Sequence, residues 1–316
     1  MGRRPRAHRV HRRREPPRTS PVITLRHHVI TVVSVFLALA VGVVLGSGPL
    51  SEVADRTDPA AAPLGDDPAT GAGSTFPDGF VAAVAPTLVA DRLKGQEVAV
   101  VTVPGADEQV VTALVEQVSA AGGSVTARYA LSEAMLDPSQ KSLVDTLGSQ
   151  LMTQLGDSVS ADASTYDRMG QLLGLTVGTT SEDAESSTRK ARSVAEAVAG
   201  AGLMAPVADD PQRAPLVLFV LGADTRDESV DAILSGLLGG LSRGVKGVVA
   251  AGSAADGGEG QLGRFRADPA AASVATVDGT ETMAGKIATV MALARSTQTA
   301  GGSFGASGAD GPAPLG

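Results

Sequence analysis

Residues 97–130 read EVAVVTVPGADEQVVTALVEQVSAAGGSVTARYA, and this stretch decides the fold. Glu97 to Val103 is a continuous β-branched run, the pattern of a strand buried on both faces. After Pro104-Gly105 the period changes. Val110, Val111, Leu114, Val115 and Val118 recur at helical spacing, with Glu116 and Gln117 opposite. Gly122-Gly123 supplies a left-handed stop, and Ser124 to Ala130 returns as a strand. Strand, helix and strand in that order form a βαβ unit with neighbouring parallel strands and a right-handed crossover.

Working outward, the same pattern recurs at 216–234, LVLFVLGADTRDESVDAIL. It repeats the buried strand, Gly-Ala-Asp, an acidic first turn and an apolar helix, which hints at an internal duplication. Val245 to Ala250 and Val274 to Val277 supply further short strands. A last helix is predicted over about 280–295, with Met283, Ile287, Val290, Met291 and Leu293 on its apolar face. Between the two halves, residues 131–200 look helical in three stretches, from Pro138, from Tyr166 and from Ser187. The expectation is a Rossmann-like, doubly wound parallel sheet of about five strands with a helical insertion, occupying residues 80–296.

The N-terminal part obeys different chemistry. Residues 1–28 hold nine Arg against one Glu, a local charge of +8; removing it from the whole-chain −8 leaves −16 for the remainder. Val29 to Ser51 is 23 residues without a charge. At about 1.5 Å per residue, roughly 20 apolar residues cross the hydrocarbon of a bilayer, so a single transmembrane helix is predicted. Arginines precede it while Glu52, Asp55 and Asp58 follow it. The positive-inside rule then places 1–28 in the cytoplasm and the rest outside. A cleaved signal peptide is the competing reading, with Ser47-Gly48-Pro49 near a cleavage point; the long basic region and the length of the apolar run favour a retained anchor. Gly42 and Gly46 form one GxxxG match. Residues 52–79, rich in Pro, Ala, Gly and Asp, read as a flexible acidic linker, and 297–316 as a low-complexity, disordered tail.

Composition excludes much chemistry. There is no Cys, and all four His, at 8, 11, 27 and 28, fall in the basic tail. Beyond residue 28 the chain has neither thiol nor imidazole for nucleophilic catalysis or a His-based metal site. Open α/β sheets bind ligands beyond the carboxyl ends of their strands. The candidates there are Asp107, Asp224 and Asp278, which could ring one crevice and hold a hard cation; helix capping alone also predicts Asp at such positions. Phosphate motifs fail: in Gly279-TETMA-Gly285-Lys286-Ile287 five residues separate the glycines and Ile287 stands where a Ser or Thr belongs. Ser187-Thr188-Arg189-Lys190 matches S-x-x-K without its companion motifs. Met135, Met152, Met169, Met204, Met283 and Met291 are the soft ligands of the exported part, and their spacing reads as core packing. No catalytic and no cofactor-binding residue is assigned, and the metal ligands stay unknown.

One block, VITLRHHVITVVSVFLALAVGVVLGSG at 22–48, resembles the N-terminus of the mycobacterial copper-transport protein B (MctB) family. The similarity continues at 95–109, 121–127 and 274–293. The resemblance implies an actinobacterial envelope protein of copper efflux or homeostasis, described as an outer-membrane component. Two departures stand out. A Pro-rich linker replaces the family's charged coiled coil after the membrane helix, and Gly302-SFGASG lacks a His-bearing C-terminal segment. Two Tyr, six Phe and no Trp, without repeated alternating strands, do not spell an outer-membrane barrel, so a pore would require a homo-oligomer or protein partners. The expectation is a single-pass, non-enzymatic membrane protein in copper homeostasis, with no nucleic-acid partner and copper itself possible only by resemblance. The alternative is a scaffold that binds peptidoglycan-remodelling or division proteins through the exported domain; a third reading is a carboxylate hydrolase using Asp107 and Asp224.

Overall fold

The computed structural model describes residues 76–156, 159–207 and 211–315. The predicted anchor at 29–51, its basic tail and most of the linker lie outside these residues. Among the described residues no helix is long and apolar enough to cross a membrane.

In chain order the elements are α1 (Phe76–Val89), β1 (Glu97–Thr102), α2 (Glu108–Ala120), β2 (Ser124–Ala130), α3 (Glu133–Leu136), α4 (Lys141–Leu155) and α5 (Thr165–Val177). There follow β3 (Glu185–Ser186), α6 (Arg189–Gly200), β4 (Gln212–Arg213), β5 (Leu216–Val220), α7 (Glu228–Ser242), β6 (Gly247–Ala251), α8 (Gln261–Arg266), β7 (Ala275–Val277), α9 (Met283–Ser296) and β8 (Ser303–Phe304). Six strands form one sheet in the order β2-β1-β5-β6-β7-β8, and every adjacent pair is parallel. β3 and β4 pair separately as a short antiparallel ribbon.

The continuous apolar runs of β1, β5 and β6 follow from burial on both faces. Alternate residues serve different layers, as the two-residue period of a strand requires. Val98, Val100, Leu216 and Leu218 pack with Leu114, Val290 and Leu293 against α1, α2 and α9. Ala99, Val101, Val217 and Phe219 face the other way, into a core with Met169, Leu172, Leu237 and Phe265. This three-layer α/β arrangement supports the Rossmann-like reading of the sequence, with the helical insertion of 131–200 realised as α3 to α6.

That insertion packs closely. α5 carries Gly170 and Gly174, and α7 carries Gly236 and Gly240, at four-residue spacing. A Cβ on Gly170 would lie 2.3 Å from the Leu237 carbonyl oxygen, and one on Gly240 would lie 2.1 Å from that of Asp167. The two backbones therefore touch, a contact that only glycine permits.

Two boundaries are corrected. The described fold already includes α1 from Phe76, inside the predicted linker, where α1 packs on α9 and buries Ala85 and Val89. The predicted disordered tail from 297 instead contributes β8, whose Phe304 is buried beside β7. Composition misjudged this segment because its ordering comes from specific polar bonds rather than from apolar content. β8 also breaks a topological habit: the β7 to β8 connection passes through α9, on the face opposite to the helices that join β5 to β6 and β6 to β7, so its hand is reversed.

Candidate functional site

The strand order reverses between β1 and β5, and the crevice above that switch point is where open α/β sheets take ligands. Here the chain fills it with itself. Val103 donates its amide to the Val220 carbonyl at 3.1 Å. A Cβ on Gly222 would sit 2.0 Å from the Pro104 carbonyl oxygen, so the loops after β1 and β5 meet backbone to backbone.

The three strand-end aspartates do not converge on one ligand. Asp107 is the N-cap of α2, its Oδ1 accepting from the amides of Gln109 at 2.8 Å and Val110 at 3.4 Å. Asp224 is not a cap, since Asp227 caps α7. Its carboxylate accepts from the Arg226 amide at 2.8 Å and from Arg264 Nη2 at 2.7 Å. Asp278 is wholly buried and accepts from the Ser307 amide and hydroxyl and from Arg266 Nη1 at 3.4 Å. Among the described residues no group of His, Cys, Asp or Glu is placed to hold a metal ion. The three carboxylates therefore form no common crevice, and the capping reading holds for Asp107 alone: Asp224 and Asp278 are engaged by arginines.

What the sequence reading missed is the arginine chemistry of α8, QLGRFR. Leu262 and Phe265 enter the core, while Arg264 and Arg266 reach to opposite sides. Arg264 bridges Asp224 and Asp231, with Nε to Asp231 Oδ2 at 2.6 Å, and donates to the Glu259 carbonyl at 2.7 Å. An open cleft of about 410 Å³ lies over this network, lined by Asp224, Arg226, Glu228, Asp231, Glu259 and Arg264. Arg266 donates to Thr276 Oγ1 at 3.0 Å, Ser307 Oγ at 2.9 Å and the Phe304 carbonyl at 2.8 Å. These bonds, with Asp278, clamp the C-terminal segment to the sheet. The signal was an Arg-x-Arg pair on an apolar turn within an acidic body.

Two buried or half-buried carboxylates beside this cleft titrate in opposite senses. The hydrogen bond from Arg264 holds Asp224 below the ordinary 3.8. Burial raises Asp256 above it, against the opposing bonds from Ser253, whose amide and hydroxyl donate at 2.7 and 2.8 Å. The folded-state value of Asp224 is depressed, so its contribution is present above the unfolded value and is lost as pH falls through the folded one. The folded-state value of Asp256 is raised, so its contribution is present below the unfolded value and is lost as pH rises through the folded one. Asp256→Asn, which keeps an acceptor for Ser253, is therefore expected to remove the loss of stability that sets in as pH rises above the ordinary carboxylate range, and urea unfolding at a series of pH values checks it. A variant with the wild-type pH slope would contradict the assignment.

The methionines are core residues. Met135 and Met169 are fully buried, Met204 and Met291 nearly so, and Met152 and Met283 pack at the core margins.

Comparison with known proteins places this domain. The copper transporter MctB of Mycobacterium tuberculosis is 28% identical over 198 residues, covering 54% of this chain and 58% of that protein. The copper transporter MctB of Mycobacterium leprae is 32% identical over 173 residues, covering 49% and 52% respectively. The chain thus spans between about half and three fifths of the length of these curated relatives. The family model described as "Copper transport outer membrane protein, MctB" matches residues 22–314, from the edge of the basic tail through β8 and its clamp, and the chain belongs to the MctB family.

Proposed function

We propose that this chain is a membrane-anchored envelope protein of copper homeostasis, with residues 29–51 as its anchor, 1–28 in the cytoplasm and the α/β domain outside. The observation that carries this reading is the family match across 22–314, which takes in both the apolar segment and the folded domain. Copper is then cargo. The domain acts on its passage through assembly with itself or with protein partners, not by chemistry of its own. Support comes from the engagement of Asp107, Asp224 and Asp278 by protein groups and from the confinement of every His to the first 28 residues in a chain without Cys. Thioethers are the soft ligands left to the domain, and four of them are buried in its cores.

A strain lacking this chain is expected to stop growing at a lower copper concentration than its parent and to recover when the full chain is restored. Equal copper tolerance of the two strains would overturn the proposal. Septal localisation with unchanged tolerance would favour a division scaffold instead.

A further inference from the structure

A cluster of cations with little compensation lies at the end of the sheet away from the strand-end crevice. Gln96 precedes β1 and Arg295 ends α9, so both sit at the amino ends of the strands. Between them opens a pocket of about 420 Å³, lined by Arg92, Lys94, Gln96, Arg295, Thr297 and Thr299 among others, and by no carboxylate. Three cations on one pocket are notable in a chain whose residues beyond 28 sum to −16.

Their partners leave them available. Arg92 uses only Nε, donating to the Leu88 carbonyl at 3.3 Å. Lys94 stands 4.0 Å from Asp91, with both side chains about three quarters exposed. Arg295 donates Nη1 to the Gly301 carbonyl at 2.7 Å and lies 5.5 Å from the Phe304 ring centroid. Those contacts fix its position without neutralising it. Gln96 also lines the pocket, its amide oxygen shielded from solvent and without a hydrogen bond.

We infer that this pocket binds a phosphate ester. The guanidinium forks of Arg92 and Arg295 match phosphate oxygens, Lys94 adds a point charge, and Thr299 adds a hydroxyl, while Thr297 already donates its own to the Ala294 carbonyl at 2.8 Å. The acidity of the body does not prevent this, because at physiological salt the Debye length is about 8 Å and only nearby charges act. A soluble polyol phosphate and an anionic lipid headgroup share this chemistry.

The chain has no Cys, so Gln298→Cys at the exposed rim of the pocket gives a single site for an environment-sensitive dye. The full chain in neutral detergent is titrated with glycerol 1-phosphate at constant ionic strength. A saturable signal is expected, weakened about fivefold by Lys94→Gln and about 25-fold by Arg92→Gln with Lys94→Gln, at roughly fivefold per cation. Both substituted residues are exposed, and the nine arginines of residues 1–28 are the same in every variant, so the difference isolates the pocket. The source is read by adding phosphatidylglycerol to the micelles. A signal from it that glycerol 1-phosphate displaces identifies a lipid headgroup, and a response to glycerol 1-phosphate alone identifies a soluble ester. No saturable signal from either, or one unchanged in the double variant, would overturn the inference.

Discussion

Asp278→Ala is expected to cost about 3 to 5 kcal/mol of folding stability, the range for removing one member of a buried ion pair. Asp278 is fully buried, and its carboxylate is the meeting point of Ser307 and Arg266. Without it, Arg266, whose side chain is 13% exposed, keeps its charge and loses its counter-ion. The Ser307 amide and hydroxyl lose their acceptor together. Against a typical domain stability of about 5 to 15 kcal/mol, the loss is a large fraction of the whole. It should be concentrated at one place: β8 is two residues long, so release of its clamp frees 303–315 before the sheet melts. Hydrogen exchange should show early deprotection of Ser303 and Phe304. Asp278→Asn, which retains an acceptor, should lose less. A melting temperature for Asp278→Ala within a degree or two of wild type would show that the clamp does not hold the tail.

Gly170→Ala should destabilise even though alanine is the better helix former. Propensity alone favours the substitution by about 1 kcal/mol. The new Cβ, however, would meet the Leu237 carbonyl oxygen at 2.3 Å and the Gly240 Cα at 2.9 Å. Both are backbone atoms, which cannot rotate aside, so α5 and α7 must separate. Overpacking of this kind costs about 1 to 3 kcal/mol and occasionally more, and here the upper end is expected. The net effect is a loss of about 2 kcal/mol, or a melting temperature lower by roughly 4 to 8 °C in a domain of this size. Gly200→Ala is the control. Gly200 ends α6, where an added Cβ would have nothing within 4 Å, and the same substitution there should be neutral or mildly stabilising. Opposite signs at the two positions carry the claim; equal signs would refute it.

These two sites mark where the sequence was legible and where it was not. β1, β5 and β6 were readable because each buries both faces and so shows an unbroken apolar run. α2 and α7 were readable from their apolar period. The four-residue glycine spacing noted at Gly42 and Gly46 recurs at Gly170-Gly174 and Gly236-Gly240, where it governs the α5–α7 helix pair. Spacing announces a close approach but not its partner.

β8 was illegible because its stability derives from Asp278, Thr276 and Arg266, which lie 26 to 41 residues away in sequence from the segment's Phe304, Gly302 and Ser307. The site residues divide in the same way. Asp107 was legible as a cap, since the bond it makes is to amides two and three residues on. Asp224 and Asp278 were not, because their partners lie on α8 and in the tail, and nothing local in Gly-Ala-Asp or Val-Asp-Gly encodes an arginine arriving from elsewhere. α1 escaped because its mostly apolar, weakly patterned sequence carries Pro86 inside the helix and adjoins a low-complexity linker.

The proposed role in copper homeostasis has this chain limiting how much copper the cell retains. The direct measurement is cell-associated copper, by elemental analysis, in the deletion strain, its parent and the strain restored with the full chain, all grown under the same copper load. The account predicts higher copper in the deletion strain and a return to the parental value on restoration; equal copper in all three would contradict it.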